Sequence, residues 1–186
     1  MAVPKANSDL ISPADYLAGE NDGSVRHEYL DGRVFAIASE SERHSIIKMN
    51  VTRAFDASVF DSCRVFDGDM KLEVNLSTGT RFYYPDIFVS CAPGDQGEYV
   101  RRDAVLVIEI LSPSTARVDR YEKFASYMSL PMLQEYVLID QSVPLVEVFR
   151  RRSAWEREAF RMGTSVTFES VNQTMTLDQI YRRITF

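Results

Sequence analysis

Residues 104–111 read Ala-Val-Leu-Val-Ile-Glu-Ile-Leu and run into Ser112-Pro113. Eight nearly continuous apolar residues closed by a proline specify a strand buried on both faces, the middle of a sheet covered by other layers. Glu109 is the only ionisable residue in that run. Burying a lone carboxylate costs on the order of several kcal/mol unless a cation, a metal or a proton compensates it. Something must therefore face Glu109. An arginine such as Arg102 or Arg120 in a structural ion pair would satisfy it, and so would a metal ion.

The remaining pattern builds around that strand. Ser12-Pro13 ahead of ADYLAGE reads as an N-cap and first helical position. VRHEYLDGRVFAIA reads as a hairpin turning at Asp31-Gly32, with Glu28 in its first strand. From Ser41 to about Phe60, Ile47, Val51, Ala54, Phe55 and Val59 form one helical stripe. CRVF, MKLEV and RFYYPDIFVSC are extended runs, and the alternation in MKLEV predicts a strand with one wet face. APGDQGEY reads as a loop. Tyr121, Phe124, Ala125 and Met128 predict the buried side of a helix whose polar side carries Asp119, Arg120 and Lys123. EYVLID, LVEVFRR, WEREAF and SVTF are further strands, and Thr176 caps a closing helix. The order predicts an α/β fold, a central mixed β-sheet flanked by helices, with 1–186 as a single domain and 1–11 as a flexible N-terminal extension.

Asp86 follows Pro85 between aromatic and apolar residues, 23 positions before Glu109. It reads either as a turn aspartate capping a local N–H or as a carboxylate beside Glu109 on an adjacent strand. Two carboxylates that close repel, and a hard divalent cation with oxygen ligands is the usual resolution. Lys123 has two readings as well. It stands four residues after Asp119, the order that gives a surface ion pair worth about 0.3–0.5 kcal/mol, or it points toward the two carboxylates.

YPDIFVSC, VIEILSPSTARVDRYEKFASY and LQEYVLIDQSVPLVEVFRR, with RHEYLDGRVFAIA and SERH upstream, closely resemble the Uma-type family of putative restriction endonucleases in the PD-(D/E)xK nuclease superfamily. The resemblance spans about Asp15 to Tyr181. It implies a restriction-endonuclease-like domain and a site made of Asp86, Glu109, Lys123 and the upstream acid Glu28. Asp86, Glu109 and Glu28 would hold Mg²⁺ or Mn²⁺, with a backbone carbonyl such as that of Ile110. Two residues after Glu109, where the superfamily usually has its lysine, this chain has Leu111, and the resemblance assigns that role to Lys123. His44 matches a recurrent family histidine and is expected as a hydrogen-bonded structural residue.

The implied activity is that of a magnesium-dependent endodeoxyribonuclease, with DNA as partner and a homodimer allowed. A non-catalytic nucleic-acid-binding or oligomerising domain, and a hydrolase of small phosphate esters, are the other two readings. A net charge of −6 opposes polyanion binding unless cations are gathered locally. Arg101, Arg102, Arg117 and Arg120 near the site, or Arg150, Arg151, Arg152, Arg157 and Arg161 on the later hairpin, are the candidate clusters. The longest charge-free stretch, 124–134, holds 11 residues and a proline, far short of the about 20 a spanning helix needs. No membrane span is expected. MAVPKANSDL lacks the apolar core of a secretory signal, so Cys63 and Cys91 are expected as free thiols in a cytoplasmic protein.

Overall fold

A computed structural model describes residues 10–21, 25–56, 63–91 and 97–186. In chain order its elements are α1 (Pro13–Asn21), β1 (His27–Leu30), β2 (Arg33–Ala36), α2 (Glu42–Asp56), β3 (Arg64–Asp67), β4 (Lys71–Leu76), β5 (Gly79–Tyr83), β6 (Ile87–Ser90), β7 (Val100–Arg101) and β8 (Ala104–Leu111). A π-helical turn, Val118–Lys123, then runs into α3 (Phe124–Tyr127). After it come β9 (Glu135–Asp140), β10 (Leu145–Arg150), β11 (Arg157–Arg161), β12 (Ser165–Phe168), β13 (Gln173–Thr176) and α4 (Leu177–Ile180). Residues 1–9 of the extension expected at 1–11, the end of the second helix near Phe60 and much of the loop at 92–99 fall outside the described residues, whereas Ile11 is held to the first hairpin by the Gly32 carbonyl and the Tyr29 hydroxyl.

All eight residues of β8 are buried, and the strand lies inside a six-stranded mixed sheet of order β11-β10-β9-β8-β6-β3. It pairs antiparallel with β6 and parallel with β9, which is the mixed α/β arrangement expected. One face packs Leu106, Ile108 and Ile110 against Ile47, Val51 and Phe55 of α2. The other packs Val107 and Leu111 against Tyr127 and Tyr136. Strand alternation puts Glu109 on this second face, with Val107 and Leu111. A second sheet of five strands has the order β2-β1-β5-β4-β7, and β12 and β13 form a separate ribbon.

The run RFYYPDIFVSC does not stay in one sheet. Its first half is β5 of the five-stranded sheet and its second half is β6 of the central one. The change falls at Tyr84-Pro85-Asp86, where proline has no N–H to give to a ladder. Asp86 therefore sits where the two sheets meet.

Local signals hold closely. The Ser12 hydroxyl accepts from the Asp15 N–H at 3.1 Å, and Asp31 and Gly32 turn the first hairpin at φ of 51° and 100°. Thr176 and Gln179 close a reciprocal cap on α4. Two expectations fail. In β4 no face is wet over Lys71–Val74: Lys71 lies against the rings of Tyr84 and Tyr99, and Glu73 takes Arg102 and the side chain of Asn75. Alternating charge was satisfied by partners instead of by water. Nor are the thiols free, because Cys63 and Cys91 form a disulfide. The cause is register: Arg64 pairs with Ser90, so the next residue outward on each strand faces the other. The free-thiol argument for a cytoplasmic location falls with it. Among the described residues no helix is long and apolar enough to cross a membrane.

The disulfide closes a loop with a sequence separation of 28, for which loop entropy gives about 3–4 kcal/mol. Reduction should lower the melting temperature of the wild type by several degrees, and the Cys63→Ser variant should start low and not respond to reductant. Equal melting of oxidised and reduced protein would contradict the bond.

Candidate active site

Asp86 and Glu109 are locked to each other through the backbone. The Ile110 N–H donates to Oδ2 of Asp86 at 2.6 Å, while the Asp86 N–H points to Oε2 of Glu109 at 3.4 Å. The carboxylate that β6 begins with is thus held against the one in the middle of β8. This is the juxtaposition that two strands and a loop allow over 23 residues.

Lys123 comes from the wide turn between β8 and α3. Its ammonium lies 3.2 Å from Oε1 of Glu109, 3.0 Å from Oε1 of Glu28 and 3.5 Å from Oδ1 of Asp119. The Tyr127 hydroxyl donates to Oε1 of Glu109 at 2.9 Å. The expected helix faces are corrected here. Asp119 and Lys123 are buried, and Tyr121, read as a core position, is 72% exposed. A π turn takes more residues per revolution than an α turn, so a stripe counted at 3.6 per turn drifts off the inner face. The carbonyl of Asp119 in that turn accepts from the Tyr136 hydroxyl at 2.9 Å.

Neither arginine considered for Glu109 reaches it: Arg102 pairs with Glu73 and Arg120 with Glu147. The ion pair between Asp119 and Lys123 exists, but inside the protein and as one part of a larger cluster. His44, from the first turn of α2, places Nε2 at 2.9 Å from Oδ1 of Asp86. It is hydrogen-bonded as expected, and its partner is a site carboxylate. Ser41 caps this turn by accepting from the His44 N–H at 3.2 Å. Glu40, next to it, comes within 3.9 Å of the same nitrogen. Tyr127 and Glu40 carried no chemical signal in the sequence; one reads as an apolar helix position and the other as a polar residue before a helix.

Three carboxylates, those of Glu28, Glu109 and Asp119, thus lie within 3.5 Å of one ammonium, and that of Asp86 stands beside Glu109. Burial first, then Asp119, Asp86 and Glu28, push the Glu109 carboxyl well above its usual range, although Lys123 opposes this. Burial and the neighbouring carboxylates raise Asp119 in the same direction. Burial alone would lower Lys123, but the four carboxylates outweigh it and hold the ammonium charged. The cluster is short of positive charge. A proton on Glu109 or a divalent cation among hard oxygen donors would balance it, and that donor set suits Mg²⁺ or Mn²⁺. A cleft of about 850 Å³ opens over these groups, with Glu28, Glu40, His44, Asp86, Glu109 and Lys123 in its wall.

Comparison with known proteins now bears on this arrangement. The Uma2 family, described as "Putative restriction endonuclease", matches residues 13–178. The chain belongs to the Uma2 family. Among curated proteins it is similar to Uncharacterized protein slr1290 of Synechocystis sp. (strain ATCC 27184 / PCC 6803 / Kazusa), 29% identical over 189 residues and covering 98% of this chain and 97% of that one. Uncharacterized protein sll1609 of the same strain is 30% identical over 150 residues, 78% of this chain and 84% of the other. A crystal structure from Anabaena variabilis ATCC 29413, described as a putative nuclease belonging to DUF820, superposes with a TM-score of 0.73 over 92% of this chain and 97% of that one at 19% identity. The Uma2 chain therefore shares a fold with that protein. All four residues that the resemblance pointed to, Glu28, Asp86, Glu109 and Lys123, line the cleft of this Uma2 member.

If Lys123 is the counter-cation of the cluster, Lys123→Met should destabilise the metal-free protein by about 3–5 kcal/mol at neutral pH, the cost of breaking a buried pair. The sign with pH follows from the raised Glu109 and Asp119. Between the unfolded carboxylate value, 4.5 for Glu109 and 3.8 for Asp119, and the higher folded one, the native state binds more protons, so stability falls as pH rises. Removing Lys123 raises the folded values further, and the gap between variant and wild type should narrow as pH is lowered from 8 toward 5. Denaturant titrations at several pH values check this; a gap that widens on acidification contradicts it.

Proposed function

We propose that the protein hydrolyses phosphodiester bonds in nucleic acid, DNA foremost, with Mg²⁺ or Mn²⁺ held by Asp86 and Glu109. One observation carries the reading: an ammonium 3.2 Å from a buried strand carboxylate that is itself clamped to a second carboxylate. A bound divalent ion would supply an activated water and neutralise charge building on the phosphate. The side chains do the rest. Asp86 and Glu109 present fixed oxygens, positioned by the Ile110 amide and the Tyr127 hydroxyl. Lys123, a compact cation, orients the attacking water and faces the developing negative charge. Glu28 holds Lys123 in place at 3.0 Å and is available as a further ligand or water acceptor.

The arginines of the later hairpin do not support a backbone-binding cluster. Arg150 is buried against Glu135, Arg151 donates to the carbonyls of Leu130 and Leu133, Arg152 pairs with Glu169 and Arg157 with Glu147. Four of the five arginines of that candidate cluster thus already have partners within the protein, although Arg152 and Arg157 stay half exposed at the surface.

Cleavage assays with Mn²⁺ on supercoiled plasmid, single-stranded DNA and RNA decide between this reading and the non-catalytic one. Wild type should cut at least one substrate, and Asp86→Asn, Glu109→Gln and Lys123→Met should each lose about 100-fold or more, the scale for removing one transition-state contact. Cutting by the variants at the wild-type rate would overturn the mechanism. Binding of nucleic acid by all four proteins with cleavage by none would establish the non-catalytic alternative.

A further inference from the structure

His44 and Lys48 stand four apart on one face of α2, and Glu40, just ahead of the helix, reaches both side chains. That face lies over Asp86. His44 is buried, with 8% of its surface exposed, and its Nε2 sits 2.9 Å from Oδ1 of Asp86 and 3.9 Å from Oε1 of Glu40. The ligand atoms of all three lie within 4.8 Å of one another. Around one tetrahedral ion with bonds of about 2.0–2.1 Å, ligand atoms stand about 3.3 Å apart, a value the two His44 distances bracket. Glu40 is the exposed member of the three and can close the remaining gap by a side-chain movement. All three line the cleft, which gives an ion a path in from solvent.

Asp86 serves this group and Glu109 with different oxygens. Oδ2 is taken by the Ile110 amide on the Glu109 side, and Oδ1 faces His44. Glu40 is meanwhile in an ion pair with Lys48. We propose that Glu40, His44 and Asp86 form a second divalent-cation site, suited to a transition ion such as Mn²⁺, Co²⁺ or Zn²⁺ in preference to Mg²⁺, with Lys48 as the built-in cation that the metal displaces. Imidazole is the reason for the preference: nitrogen suits the transition ions, while Mg²⁺ takes oxygen and keeps its waters. Lys48 explains how Glu40 and Asp86 are tolerated together without the ion. The inference shares Asp86 with the nuclease reading but does not need turnover.

Pulsed electron paramagnetic resonance of Mn²⁺ bound to the full chain tests it, because nitrogen coupling to the ion reports an imidazole ligand directly. Wild type should show that coupling. His44→Gln should abolish it and weaken one class of Mn²⁺ sites by about tenfold or more, the scale at which even supporting residues affect a metal site. Glu40→Gln, at an exposed position, should weaken the same class while keeping the coupling. Glu109→Gln should keep the nitrogen-coupled ion. Lys48→Met should tighten Mn²⁺ binding severalfold, the reverse of what loss of a merely structural ion pair would do. Absence of nitrogen coupling in wild type, or its persistence in His44→Gln, overturns the site; unchanged or weaker binding in Lys48→Met overturns the role of Lys48. A nitrogen-coupled ion in a protein that cuts nothing would leave this site standing and remove the nuclease reading.

Discussion

A carboxylate at the centre of a fully buried strand sets the terms for the rest of the molecule. Glu109 is 2% exposed and has strands on both sides. Low dielectric makes its charge costly and makes any cation near it correspondingly effective. The wide turn ahead of α3, the tyrosine on α3 and the aspartate that opens β6 all converge on that one group. An apolar residue at position 109 would need none of them. Their presence together is why the cluster reads as a working site and not as a stability device, since a well-packed hydrophobic core would be at least as stable.

Charge is distributed in the same spirit. Arg150, Arg157 and Arg152 of the later hairpin pair with Glu135, Glu147 and Glu169, and Arg101 pairs with Asp103. Around Lys123, by contrast, three carboxylates share one ammonium with Asp86 beside them, so part of the overall −6 is gathered at one cavity.

The central strand, its flanking strands and the caps at Ser12 and Thr176 were legible because each rests on local rules: apolar continuity, alternation, and hydroxyls that satisfy the free amides of a helix end. The convergence of Asp86, Glu109, Lys123 and Glu28 on one place was expected from the family resemblance, while the residues alone demanded a partner for Glu109 and left Asp86 and Lys123 open between two readings. Four features were not legible. The π turn adds residues to a helical revolution without altering composition, so the periodicity that placed Tyr121 inside was followed faithfully to a wrong face. The buried Lys71 and Glu73 look like any wet alternation until their partners on other elements are known. The disulfide depends on the register of β3 against β6, and a spacing of 28 residues does not encode register. The role of His44 at Asp86 was hidden for the same reason: a contact across 42 residues is set by packing.

The passage of the chain from one sheet to the other at Tyr84-Pro85-Asp86 makes the site a seam. On one side β5 ends at Tyr83, whose hydroxyl meets Ser126 of α3; on the other β6 ends beside the Cys63–Cys91 link. Three residues with no ladder of their own thus join two sheets that share a core, where Leu72, Val74 and Tyr83 of one pack with Phe88, Val107 and Leu111 of the other. The position of Asp86 against Glu109 therefore depends on how those two sheets fit together. Damage far from the cleft that shifts one sheet against the other should then appear as a misaligned pair of carboxylates, which makes the seam a gauge of how well the two layers fit.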